Sequence, residues 1–277
     1  MKVLMTADTV GGVWTYAVDL ARGLAEVGVD VHVATMGRLP DAAQRASVEH
    51  LYASSYRLEW EDEPWDDVDQ AGAWLLELAD ELLPDLIHVN GFAHGRLPWA
   101  APVLVAAHSD LVSWWWAVHG EQPPERFDRY RSTVGAGLAA AHAVVAPTQA
   151  VLHDLRRHYE FHRPGYVVPN GSHRTQSIRT KEPFILALGR FWDDAKNFTA
   201  LEQMRPLTSW PIVVAGEGTS VGRLAPIDVA SLLARAAIFA SPTHYEPFGL
   251  TILEAALAGC ALVLADIPSL REVWGDS

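Results

Sequence analysis

One cysteine, Cys260, stands among the 277 residues. A lone thiol cannot build an internal disulfide framework, and it fits a chain kept in a reducing compartment. Long apolar runs are missing as well. No stretch reaches the roughly 18 uninterrupted apolar residues of a spanning helix. The opening "MKVLMTADTVGG" meets its glycines too early for a secretory apolar region. Together these absences lead to the expectation of a soluble, cytoplasmic protein. Basic residues are scarce: 21 Lys and Arg face 34 Asp and Glu, a net charge of −13. A nucleic-acid partner is therefore not expected, since the usual footprint of such binding is a basic face. Of that charge, −11 falls in residues 1–170 and only −2 in 171–277, so the second half tolerates an anionic ligand better. The acidic first half also argues against strong association with anionic lipid, and the basic patch "LRRHYEFHR" (155–163) reads as a solvated helix end. Twelve histidines are present, yet none falls in H-E-x-x-H or beside a second ligand-bearing cysteine. No metal and no cofactor is expected on that ground. The dinucleotide fingerprint G-x-G-x-x-G is missing too, as are short repeats and low-complexity tracts.

What is present is a regular alternation of apolar strands and amphipathic helices. "KVLMTA" (2–7), "VDVHVAT" (29–35), "DLIHVNG" (85–91), "PVLVAAH" (102–108), "HAVVAPT" (142–148) and "YVVPNG" (166–171) read as strands. "VWTYAVDLARGLAEVG" (13–28), "WLLELADELL" (74–83) and "GAGLAAA" (135–141) read as helical. The alternation restarts with "PFILALGR" (183–190) and continues through "NFTALEQM", "PIVVAGEG", "DVASLLARA", "IFASPT" and "ALVLAD". Strands alternating with helices predict parallel sheets covered on both faces. The expected domains are 1–170, a linker at 171–182 without apolar periodicity, and 183–277. The fold class is thus α/β, two doubly wound Rossmann-like domains, with ligands expected at the carboxyl ends of strands and in a cleft.

"HYEPFGLTILEAALAGC" (244–260) carries two carboxylates eight residues apart, Glu246 and Glu254. Pro247 suits a first helical turn. Gly249 lets a ligand approach the backbone, and the N–H groups near Gly249, Leu250 and Thr251 can face a phosphate. Glu254 lies on a helix apolar almost all round, so it needs partners; it can accept hydrogen bonds from sugar hydroxyls. In "LGRFWDDAKN" (188–197), Arg190 and Lys196 are two cations able to neutralise a diphosphate without a metal. "TVGGVWTYAVDLA" (9–21) joins a strand to a helix through Gly11 and Gly12, with Trp14 and Tyr16 as candidates to line an acceptor pocket or, for Trp14, the core. In "AAHSD" (106–110), His108 ends a strand, with Asp110 a weaker candidate. Asn90 and Gly91 end another strand, while His88 is expected to be packed. Trp114, Trp115 and Trp116 cannot all face one core; they line a groove, form a lid or pack as a cluster.

The stretch "E-P-F-G-L-T-I-L-E" resembles the E-x7-E motif of retaining nucleotide-sugar glycosyltransferases of the GT-B fold, family 4 type. The resemblance implies that Glu254 holds the donor ribose and that Glu246 lies by the transferred sugar. It implies that Arg190 and Lys196 stabilise the leaving diphosphate, that Gly11 and Gly12 lie near the donor phosphates, and that His108 lies near the donor sugar. Asn90, Trp14, Tyr16 and Trp114 are the acceptor-side candidates. The implied reaction moves a hexose-type sugar from a nucleoside-diphosphate sugar to an acceptor hydroxyl, without metal. A nucleotide-sugar epimerase of the same fold, or a catalytically weak nucleotide-sugar-binding partner, is the alternative. Family members have a longer segment between "AGEG" and "VGRL" and continue past residue 277, so the second domain is expected to be incomplete.

Overall fold

The computed structural model describes residues 1–173, 179–222 and 224–275. The chain divides into two compact units: Met1–Ser113 with Gln122–Gly171, and Trp114–Glu121 with Ser172–Ser277. Residues 174–178 of the expected linker lie outside the described residues.

The first unit runs β1 (Lys2–Asp8), α1 (Gly12–Glu26), β2 (Asp30–Met36), α2 (Ala42–Ala46), β3 (His50–Ala53), α3 (Trp65–Leu82), β4 (Leu86–Val89), β5 (Val103–Ala106), α4 (Leu111–His119), α5 (Asp128–Ala140), β6 (Ala143–Ala146), α6 (Gln149–Tyr159) and β7 (Gly165–Val167). From Trp114 onward, α4 groups with the second unit. The seven strands form one parallel sheet in the order β3-β2-β1-β4-β5-β6-β7. Chain order reverses between β1 and β4, the topological switch at which open α/β sheets bind ligands. On one face Val3, Met5 and Ala7 of β1 pack with Val31 and Val33 of β2 and Ala17 of α1. The odd-numbered residues share that face because strand side chains alternate.

The second unit contains β8 (Glu182–Leu188), α7 (Phe198–Met204), β9 (Ile212–Ala215), α8 (Pro226–Arg235), β10 (Ala236–Ser241), α9 (Leu250–Leu257), β11 (Ala261–Leu264) and α10 (Pro268–Trp274). Its parallel sheet has the order β11-β10-β8-β9, so the switch lies between β8 and β10. The alternation of β8 feeds both faces. Phe184 and Leu186 join Leu233, Phe239, Ile252 and Leu270 on one side, while Ala187 joins Leu201, Ile212 and Val214 on the other. Complete burial of a side chain such as Leu186 or Phe239 contributes about 1.5–3 kcal/mol. Cys260 is free and buried, its thiol donating to the carbonyls of Leu233 (3.2 Å) and Ala236 (3.3 Å).

Two elements have no signature in the sequence. α2 is a five-residue helix held by a capping box between Asp41 and Gln44. β3 is a four-residue edge strand whose residues are all half-buried, so no apolar alternation marks it. Among the described residues, no helix is long and apolar enough to cross a membrane.

Candidate active site

In the second unit the candidate side chains come from the two loops that leave the switch-point strands. After β8 the backbone folds against the loop after β9: Phe191 N–H donates to the Glu217 carbonyl (2.7 Å) and Gly189 N–H to that of Ala215 (3.2 Å). Gly216, at φ 129°, permits this approach, because a Cβ there would sit 1.9 Å from the Gly189 carbonyl oxygen. The chain then makes one 3₁₀ turn, Asp194–Lys196, capped by Asp193 Oδ1 accepting from Ala195 N–H (3.0 Å). Asp193 Oδ1 also accepts from Trp114 Nε1 (2.9 Å).

The turn is sewn to the loop after β10. Thr243 Oγ1 and His244 N–H both donate to the Ala195 carbonyl (2.6 and 2.7 Å). Asn197 Nδ2 donates to the Pro242 carbonyl (2.9 Å). Ser269 Oγ of α10 holds the Glu246 carbonyl from the other side. These bonds bring Lys196 Nζ to 2.8 Å from Glu246 Oε2. The two residues expected to serve leaving group and sugar therefore form one ion pair. Arg190 lies on the same loop, its side chain 40% exposed, with the guanidinium 5.4 Å from the Trp192 ring centroid and 4.0 Å from Asp193 Oδ2.

Downstream of Glu246 the chain enters α9. Sequence pattern places Pro247 in its first turn. In the structure the helix begins at Leu250 and Pro247 stands in the preceding loop. Gly249 is the N-cap, at φ 87° and ψ 66°, a left-handed conformation that glycine adopts without a Cβ penalty. The first helical bond runs from Leu253 N–H to the Gly249 carbonyl (3.0 Å), so the N–H groups of Leu250, Thr251 and Ile252 have no acceptor within the helix. Glu254 follows Leu250 by four residues, on the same helical face, and is half-buried.

In the first unit the candidates gather at the β1/β4 switch. Asn90, just after β4, donates from Nδ2 to the Thr6 carbonyl (2.7 Å) and from its N–H to Thr6 Oγ1 (3.0 Å). Its Oδ1 lies 2.8 Å from His108 Nε2. With the amide nitrogen committed to Thr6, the carbonyl end faces His108, which assigns the proton to Nε2 and leaves Nδ1 as an acceptor. Burial pushes the His108 imidazolium down to about 3 and that of His88 down to about 4, so both rings are neutral near pH 7. His88 is packed, as expected, at 4% exposure, and its Nε2 has no hydrogen-bond partner among the described residues. The Tyr16 ring stands edge-on to His108, with centroids 4.5 Å apart, and burial pushes its phenol up to about 12.

The glycine loop is pinned by Asp8 Oδ1, which accepts from Val10 N–H (2.7 Å). Gly11 caps α1 at φ 73°, and Gly12 is the first helical residue. Trp14 is half-buried in α1. Asp110, a weaker candidate in the sequence, is used structurally: Oδ1 accepts from Ser113 N–H (2.9 Å) at the start of α4 and from the Tyr159 hydroxyl (2.6 Å). The three tryptophans lie on α4, each half-buried. Trp114 packs edge-on against Trp115 and His119, at 6.1 and 5.6 Å between centroids.

The supporting residues Thr6, Asp193, Asn197, Thr243 and Ser269 carry no signal in the sequence that singles them out. Glu59 is another: it accepts from the N–H groups of Phe92 (2.9 Å) and Ala93 (2.6 Å), setting the loop after β4.

Residues 10–174 match the family model "Glycosyltransferase Family 4", and residues 171–277 match "Glycosyl transferases group 1". The chain belongs to glycosyltransferase family 4 and has the GT-B type of fold, with two Rossmann-like domains. Among curated relatives, a glycogen synthase of Mycobacterium tuberculosis is 39% identical over 80 residues, 22% of this chain. That match spans 19% of the relative's own length. Among solved structures, a sucrose-phosphate synthase of Thermosynechococcus elongatus superimposes with a TM-score of 0.81 at 17% identity, over 98% of this chain and 82% of that one. An Anabaena protein solved in complex with UDP gives a TM-score of 0.66 at 18% identity, over 99% and 83%.

Proposed function

We propose that the protein is a retaining glycosyltransferase that moves a hexose-type sugar from a nucleoside-diphosphate sugar to an acceptor hydroxyl, with no metal in the reaction. The observation that carries this reading is the Lys196–Glu246 ion pair on the loops in front of the α9 N-terminus, with Arg190 on the same loop as Lys196. A diphosphate at that terminus meets the N–H groups of Leu250 and Thr251 and two cationic side chains, which together stabilise the charge of a departing nucleotide. Glu254 accepts from the ribose hydroxyls. Glu246 faces the transferred sugar as positive charge develops on it. The structural likeness to a protein solved with UDP supports a nucleoside diphosphate as the ligand class.

In the first unit, Gly11 and Gly12 admit the donor phosphates to the backbone, and His108 offers Nδ1 as an acceptor to a sugar hydroxyl. Tyr16, held against that ring, and Trp14 and Asn90 serve the acceptor side, with Asn90 acting by orienting His108, while Trp114, which belongs to the second unit, is a further acceptor-side residue. The departing phosphate takes the acceptor's proton, so no strong base is required. The deciding experiment is calorimetric titration of the full chain with UDP, GDP, ADP and dTDP, followed by NMR of the anomeric proton after turnover of the matching donor. Binding of one diphosphate with retained anomeric configuration is expected. An absence of binding to all four would remove the basis of the assignment.

A further inference from the structure

We infer that Asp30, His32 and His50 form a binding site for one divalent transition-metal ion of the Zn²⁺ type, at the N-terminal edge of the first unit's sheet. The site follows from strand register. β2 and β3 run parallel with His32 and His50 as direct partners, and in-register partners project from the same face. Asp30 precedes His32 by two residues and shares that face. The two imidazoles stack with centroids 4.4 Å apart and planes 9° from parallel. Their Nε2 atoms converge on a single carboxylate: His32 Nε2 lies 3.2 Å from Asp30 Oδ2, and His50 Nε2 3.5 Å from Asp30 Oδ1. One ligand atom from each of the three residues falls within 4.8 Å of the others. Bonds of about 2.0–2.2 Å to nitrogen and oxygen place tetrahedral ligand atoms roughly 3.3–3.5 Å apart, so small side-chain adjustments admit an ion.

The surroundings fit a ligand set better than a pair of simple ion bridges. His32 Nδ1 lies 3.3 Å from the Tyr52 hydroxyl. With Nδ1–H donating there, Nε2 carries the lone pair that a metal needs, the outer-partner arrangement common to ligating histidines. His32 is 6% exposed and fixed in place, whereas the side chains of His50 and Asp30 are 40% and 47% exposed. An ion would thus keep a solvent face for water or for Glu49, whose Oε1 is 4.0 Å from His50 Nε2. The nearby Lys2 ammonium is directed elsewhere, donating to the Leu82 carbonyl (2.8 Å). Two imidazoles and one carboxylate suit zinc, cobalt, nickel or copper and not the all-oxygen preference of Mg²⁺ or Ca²⁺.

Asn90 and His108 follow the opposite, carboxyl ends of their strands and Thr6 lies in the carboxyl half of β1, so this ion takes no part in the proposed transfer. It clips a four-residue edge strand to its neighbour. The sequence alone gives no such signal, because the ligands sit on two strands and converge only through their register.

The test uses the full chain without an affinity tag, dialysed against chelator and titrated with Zn²⁺ near neutral pH. One equivalent should bind with micromolar affinity and raise the melting temperature. Co²⁺ in its place should give a visible ligand-field band. His50→Gln and Asp30→Asn, both at exposed side chains, should each weaken zinc binding at least tenfold and abolish the cobalt band. Their metal-free melting temperatures should match that of the parent. Failure of the parent chain to bind Zn²⁺ overturns the inference. Equal binding by the parent and both variants also overturns it, since other histidines would then be holding the ion.

Discussion

Lys196 Nζ lies 2.8 Å from Glu246 Oε2, with the two side chains 21% and 19% exposed. The pair joins the loop after β8 to the loop after β10 at the switch point of the second sheet, and each partner sets the charge environment of the other. Removing the negative charge of Glu246 frees Lys196 for a diphosphate. Glu246→Gln should therefore lower kcat by at least a hundredfold while nucleoside diphosphate affinity is unchanged or rises. Glu254→Gln should instead weaken diphosphate binding and raise donor KM, since ribose contacts are made in ground and transition states alike. Steady-state kinetics and calorimetry on the two variants check both, and the opposite pattern would reverse the assigned roles.

Arg190 is the more exposed cation, and its nearest carboxylate, Asp193, is at the 4.0 Å limit of an ion pair. Little would be lost from the folded protein with its guanidinium. Arg190→Ala should leave the melting temperature within about 2 °C but weaken diphosphate binding by roughly 1.5–3 kcal/mol, the value of a hydrogen bond to a charged group. Calorimetry giving unchanged affinity would remove Arg190 from the phosphate site.

Metal dependence separates two expectations. Turnover should survive excess EDTA at 25 °C, because Arg190, Lys196 and the α9 N–H groups supply the counter-charge. The chain's one Asp-x-Asp triplet, Asp67–Val68–Asp69, is part of α3, where Asp67 bonds Arg57 and Asp69 faces Arg96 and Arg129. EDTA should lower the melting temperature only through the Asp30, His32 and His50 site. Loss of turnover restored by Mg²⁺ or Mn²⁺ would contradict the cationic clamp.

Gly249 tests the helix terminus. A Cβ there would lie 2.6 Å from Ile252 Cδ1, a side chain 1% exposed, and the residue would have to hold φ 87°. Gly28, at φ 79°, has open space where a Cβ would stand, with no atom within 4 Å, and isolates the backbone cost. Gly28→Ala should lose about 1 kcal/mol of stability and Gly249→Ala about 2–3 kcal/mol. Only the second should also weaken diphosphate binding. Urea unfolding and calorimetry measure the two effects.

The parts of this architecture that show in the sequence are those set by short-range pattern. Odd-numbered apolar residues from Val3 to Ala7 mark β1, and the Phe184–Leu188 run marks β8. Both strands are buried on two faces, so apolar content alone identifies them. The half-buried β3 has no such pattern and stays unmarked. The candidate side chains follow the same division. Glu246 and Glu254 stand out because they lie eight positions apart on one segment with a glycine between them. Thr243, Asn197 and Ser269 do not, because each acts through a bond to a residue 23 to 48 positions away. The Lys196–Glu246 pair belongs to this second kind, being fixed by strand order and not by spacing. Pro247 illustrates a local error: proline favours a first helical turn in general, but the left-handed Gly249 delays the helix to Leu250.

His88 and the half-buried His108 give a pH dependence whose sign can be worked out. His88 and His108 have imidazolium groups held down to about 4 and about 3 by desolvation, against an ordinary value of 6.5. In the unfolded chain each takes up a proton as pH falls through 6.5; in the folded protein neither does until pH 4 or below. The unfolded state therefore binds more protons between those limits, and stability falls as pH is lowered through that window. Full stability from this source is present above pH 6.5. By pH 5 the loss should reach about 1–2 kcal/mol for each histidine. Replacing one with a neutral group should flatten the dependence. His88→Gln, which keeps a polar end near Asn90, should cost stability at pH 7 yet show a smaller drop between pH 7 and pH 5 than the parent. Urea unfolding at both pH values, in the presence of chelator so that Asp30, His32 and His50 hold no ion, measures the difference. A parent protein as stable at pH 5 as at pH 7, or a variant with an undiminished slope, would show that the His88 ring accepts a proton in the folded state.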